Sequence, residues 1–119
     1  MEKTIELSSQ CPLFPLFDML SGPWTLHIVW VLSTFGPTRF GALKRQLAGI
    51  SAKVLTDRLR MLEQQGLIYR DYNPTIPPEV TYGLTERGQD LHVLLDSLNA
   101  LGQKWYGNPS QAYGNDPGS

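Results

Sequence analysis

Between Thr38 and Gly66 the chain writes two short amphipathic helices with almost nothing between them. Thr38 is placed to cap a helix through about Leu47, in which Phe40, Leu43 and Leu47 recur at helical spacing. Ala48-Gly49-Ile50 is a turn of three residues, and Ser51 then caps a second helix that should run to Gln65 and stop at Gly66. Two helices joined by a short glycine-containing turn form the outline of a helix-turn-helix.

The segments on either side narrow the choice further. Upstream, Pro12 opens a helix carrying Leu13, Phe14, Leu16, Phe17 and Leu20, and Ser21-Gly22-Pro23 ends it. From Trp24 to Ser33 the residues are apolar almost all round, so this helix belongs inside a core. Downstream of Gly66 the period changes. Residues 67–72 and 79–84 are rich in β-formers and flank the proline-stiffened Asn73-Pro74-Thr75-Ile76-Pro77-Pro78, a hairpin with a long tip. Thr85 then caps a last helix from Glu86 to about Trp105. The order of elements is that of a winged helix-turn-helix: mainly α, with a small β-hairpin wing. We expect a polar lead over 1–10, one domain over 11–106 and a disordered tail over 107–119, where Gly, Pro, Asn and Ser dominate.

With 119 residues, 41% hydrophobic and 18% charged, the chain suits one globular domain. It has no apolar run near the roughly 20 residues of a membrane span. The start of the chain lacks a secretory pattern, so a cytoplasmic protein is expected. The net charge of −1 hides a strong asymmetry. Residues 39–70 hold seven cations (Arg39, Lys44, Arg45, Lys53, Arg58, Arg60 and Arg70) against Asp57 and Glu63, a local excess of five. A positive field over one segment is what phosphate contact requires.

The helix from Ser51 concentrates that signal. At 100° per residue, Leu55, Leu59 and Leu62 form the core stripe, and Lys53, Thr56, Asp57, Arg60 and Gln64 lie opposite. Such a helix suits the major groove. Lys53 and Thr56 are expected to contact bases or phosphate, and Arg60 the backbone. Asp57 would accept from a cytosine amine or hold Arg60. Ser51, Arg39, Lys44 and Arg45 complete the candidate surface, with Arg70 as the cation nearest the wing. A winged helix used for protein contact, without DNA, is the competing reading.

No nucleophile–base pair, carboxylate pair or phosphate loop occurs at informative spacing, so no enzyme is expected and no cofactor. His27 and His92, with one cysteine, offer no metal-ligand spacing. Leu91, Leu94, Leu95, Leu98, Leu101 and Trp105 form a longer stripe than this small core can absorb. With Phe14 and Phe17 they suggest a homodimer, Phe14, Phe17, Leu94, Leu98, Leu101 and Trp105 being the candidate interface. Cys11 precedes a helix start; it is either a reactive thiol or a small apolar residue at that interface. Phe14, Phe17, Trp24, Trp30 and Phe35 either pack the core or line a pocket for a small effector.

Cys11-Pro12, Gly22-Pro23-Trp24-Thr25-Leu26, Arg39-Phe40-Gly41-Ala42-Leu43, the run from Gly49 to Leu59, Leu62-Glu63, Gly66-Leu67, Pro77-Pro78 and Tyr82-Gly83-Leu84-Thr85 together resemble the HxlR-type winged helix-turn-helix regulators. The resemblance spans residues 11–105. It implies a homodimeric bacterial repressor or activator, with a cysteine at the position of Cys11 sensing oxidants or electrophiles in some members. Pro23, His27, Trp30 and Thr81 depart from the usual pattern.

Overall fold

A computed structural model of the protein describes residues 11–107, so the expected lead, and the expected tail beyond Gly107, lie outside the described residues. Helix α1 (Leu13–Leu20) follows Pro12, whose fixed φ of −65° suits a helix start. It buries no residue fully; Met19 and Leu20 lean on the core. Helix α2 (Thr25–Phe35) buries Thr25, Ile28, Val29, Val31 and Leu32 and is the centre of the domain. It starts abruptly at Trp24, which takes a left-handed φ of 66° with its indole against the His27 ring, 5.3 Å between centroids. An L-residue there costs about 1–2 kcal/mol.

Gly36 at φ 77° ends α2, and the chain then does something the sequence reading did not anticipate. Thr38 caps no helix. It and Arg39 form a two-residue strand, β1 (Thr38–Arg39), paired with the hairpin, while the Thr38 hydroxyl donates to the Gly36 carbonyl at 2.8 Å. Helix α3 (Phe40–Gln46) begins one residue late, with Arg39 at the cap position and no side-chain cap. The turn through Gly49, at φ 96°, leads to α4 (Ala52–Gln64). Here the expected cap is present: Ser51 Oγ accepts the Val54 N–H at 3.1 Å. Leu55, Leu59 and Leu62 are 0%, 1% and 0% exposed, so they fasten α4 to the core.

Strands β2 (Ile68–Asn73) and β3 (Glu79–Leu84) pair antiparallel from Ile68↔Leu84 to Asn73↔Glu79, and β1 adds to β3, giving the order β1-β3-β2. Tyr69 lies flat over Gly83, its register partner, where a Cβ would collide with the ring. The final helix is not continuous as expected: α5 (Glu86–Gln89) gives way at Asp90 to α6 (Leu91–Tyr106). Thr85 Oγ accepts the Gly88 N–H and donates to the Gly66 carbonyl, tying the start of α5 to the end of α4. Only the first turns of α6 return to the core, through Leu91 and Leu95. No helix among the described residues is long and apolar enough to cross a membrane.

Candidate nucleic-acid interface

Because the three leucines fix the rotation of α4, its opposite side is open. Lys53, Asp57, Arg60 and Gln64 are exposed and Thr56 is half-buried. Nothing among the described residues covers Lys53, whose side chain is 83% exposed. Its Nζ donates to Asp57 Oδ2 at 3.1 Å, one helical turn on. Asp57 therefore holds Lys53, a partner apart from the two expected for it, a cytosine amine or Arg60. The pair orients the ammonium near the helix start, where unpaired N–H groups also favour anions.

One of the seven cations is not on this surface. Arg58 turns inward, its Nη2 donating to Thr25 Oγ1 at 2.8 Å and its Nε buried without a partner among the described residues. The guanidinium lies against Gly22, where a Cβ would stand 2.0 Å from Nη2. Arg58 thus joins α4 to the turn ahead of α2. On the helical wheel it sits about 60° from Leu55, at the edge of the leucine stripe, a position that could have been noticed.

Lys44 and Arg45 are exposed in the last turn of α3, where the helix dipole favours cations. Arg39 is exposed too, but its Nη2 donates to Glu79 Oε2 at 2.8 Å, across the sheet. Arg39 and Arg45 border one shallow depression with Pro37, Thr38, Gly41 and Ala42. Glu79 was missed because its partner lies 40 residues away on a strand that sequence patterning did not reveal. On β2, Arg70 stands over the Tyr72 ring, 5.5 Å from its centroid. The wing tip has no lysine or arginine and presents Ile76 at 99% exposure.

Away from this surface, Phe17, Leu94, Leu98, Leu101 and Trp105 are exposed in the single subunit, and Phe14 and Cys11 are half-buried. The Phe14 and Phe17 rings are 6.2 Å apart. Leu26, His27, Trp30, Leu95, Leu98, Asn99 and Gly102 line an open groove between α2 and α6. Of the aromatic set expected around a pocket, Trp30 alone borders it. His92 is engaged by Ser33 Oγ at 2.8 Å and by Asp96 at 3.2 Å.

A helix-turn-helix with a cationic outer helix, backed by a three-stranded sheet that carries a wing, defines a winged helix DNA-binding transcription regulator. Within that class the chain belongs to the HxlR-like helix-turn-helix family, which matches residues 19–110. It is 41% identical over 95 residues to an HTH-type transcriptional regulator of Synechocystis sp., covering 80% of this chain and 70% of that one. A crystal structure of a MarR-family transcriptional regulator from Porphyromonas gingivalis superposes with a TM-score of 0.75 at 35% identity, covering 79% of this chain and 91% of that chain. The redox regulator HypR in its oxidised form superposes with a TM-score of 0.73 at 30% identity, covering 79% and 96%.

Proposed function

We propose that this regulator binds a short, roughly palindromic operator as a homodimer and controls transcription from the cytoplasm. In this reading α4 enters the major groove. Lys53 and Thr56 reach base edges, Asp57 accepts from a base amine, and Arg60 grips the backbone. Ser51, Lys44, Arg45, Arg39 and Arg70 flank the groove and hold phosphates. The observation that carries the proposal is the uncovered outer face of α4, with Lys53 and Arg60 exposed on it. Two subunits joined through α1 and α6 would set their recognition helices about 34 Å apart, one turn of the duplex. A winged helix used for protein contact alone is disfavoured, since the relatives are transcriptional regulators.

Electrophoretic retardation of the duplex upstream of its own gene tests this. Wild-type protein is expected to retard it in preference to unrelated duplex, and Lys53→Ala with Arg60→Ala to abolish retardation at the same concentration. Equal retardation by the double variant contradicts the assignment.

A thiol signal is the second part of the proposal. Cys11 is half-buried beside α1, and HypR, to which the chain is similar, is a redox regulator. Oxidation by a diazene such as diamide would join two Cys11 thiols, one per subunit. The new S–S bond forms as the diazene takes up two electrons and two protons and becomes a hydrazine. Diamide is expected to release DNA from the wild type and not from Cys11→Ser. Equal release would remove Cys11 from the signal.

A further inference from the structure

We infer that Arg39 and Arg45 form a seat for one DNA backbone phosphate at the join of helix-turn-helix and wing, and that Glu79 occupies this seat in the free protein as a competitor. The inference rests on the DNA-binding reading and adds to it a residue that governs discrimination.

The register places the partners. Arg39 on β1 faces Thr81 on β3, and Glu79 lies two residues before Thr81, so the side chains share one sheet face. Diagonal neighbours of this kind are about 7–8 Å apart at the backbone, within reach of an arginine. The reach is used: Nη2 meets Oε2 at 2.8 Å. Arg45, one turn and a half along α3, folds back toward Gly41, where a Cβ would be 3.7 Å from Nη1. Two guanidiniums thus border one depression, and the Glu79 carboxylate holds one of them, that of Arg39.

A carboxylate and a phosphate offer a guanidinium the same paired oxygen acceptors. The Glu79–Arg39 pair is open to water, with side chains 35% and 63% exposed, so exchange of one anion for the other costs little. An operator that engages α4 fully brings its phosphate to Arg39 at high local concentration and displaces Glu79. A duplex of the wrong sequence, held loosely, does not. Glu79 thereby weakens non-specific binding more than operator binding. It acts through Arg39 and is a positioning residue.

A double-mutant cycle of Arg39→Gln and Glu79→Gln, read by fluorescence anisotropy on a random-sequence duplex over a salt series, tests the seat. Glu79→Gln is expected to tighten binding about threefold and to steepen the log K against log salt slope by about 0.9, one further counterion released. In the Arg39→Gln background the same change is expected to do neither. An equal effect in both backgrounds means simple repulsion between Glu79 and DNA and overturns the proposal. A lower melting temperature with an unchanged slope means a structural ion pair and overturns it as well. Lys53→Ala with Arg60→Ala on the same duplex reports separately on the DNA-binding reading. Loss of binding there, beside an additive cycle, leaves the interface standing and removes the seat.

Discussion

Lys53 and Arg58 are cations five residues apart on one helix with opposite tasks. Lys53 stands in water beside Asp57, whereas Arg58 is spent on Thr25 and on the close approach of Gly22. Lys53→Ala should leave thermal stability within about 0.5 kcal/mol of wild type, as surface changes do. Arg58→Ala should cost about 1–3 kcal/mol, because the buried Thr25 hydroxyl loses its partner. Thermal melting of the two variants separates the roles; similar losses would mean that Arg58 is not part of the internal join. Gly88 makes a sharper case. A Cβ there would stand 2.0 Å from the Leu67 carbonyl oxygen, which already accepts from Thr85 N–H. Backbone cannot retreat as a side-chain tip can, so Gly88→Ala should destabilise by about 1–3 kcal/mol or more, measured by denaturant titration. Among single residues, sequence periodicity revealed the outer face of α4 because three leucines fix its rotation. It did not reveal the Arg39–Glu79 pair, since ion pairs between distant strands leave no local pattern.

The elements differ in the same way. Helix α4 was legible because cap, apolar stripe and terminal glycine all agree over Ser51 to Gly66, and local signals that agree rarely mislead. Ser51→Ala should therefore cost about 1 kcal/mol, read by urea unfolding, through loss of the bond to Val54 N–H. An unchanged midpoint would show that the cap contributes nothing. Strand β1 was illegible for the opposite reason. Two residues carry no period, and Thr38, a good capping residue in isolation, is drawn into the sheet by Tyr82 opposite. Tertiary pairing decides such short pieces. The break at Asp90 was hidden likewise: Asp90 keeps helical dihedrals (φ −60°, ψ −25°), and Glu86–Gln89 carries no leucine whose spacing could mark a change. The wing was legible as a hairpin from its prolines and β-formers.

At the scale of the molecule, one subunit leaves an apolar side uncovered. Leu94, Leu98, Leu101 and Trp105 line α6 beyond the reach of the core, and Leu13, Leu16 and Phe17 are exposed on α1. A stripe of this length on a domain this small asks for a partner, and in the proposed homodimer a second copy would supply matching faces by symmetry. Sedimentation should give a dimer at micromolar concentration. Leu98→Glu with Leu101→Glu should give a folded monomer whose operator affinity falls at least about tenfold, through loss of the second half-site. A monomeric wild type would contradict the dimer.

If the exposed cationic side of α4 neutralises DNA phosphate, binding must release counterions, and these can be counted. The affinity for a short operator duplex should fall linearly with salt on logarithmic axes, and Lys53→Ala with Arg60→Ala should make that slope shallower by about 0.9, the one phosphate contact given to Arg60. Superimposable slopes for wild type and double variant would contradict it.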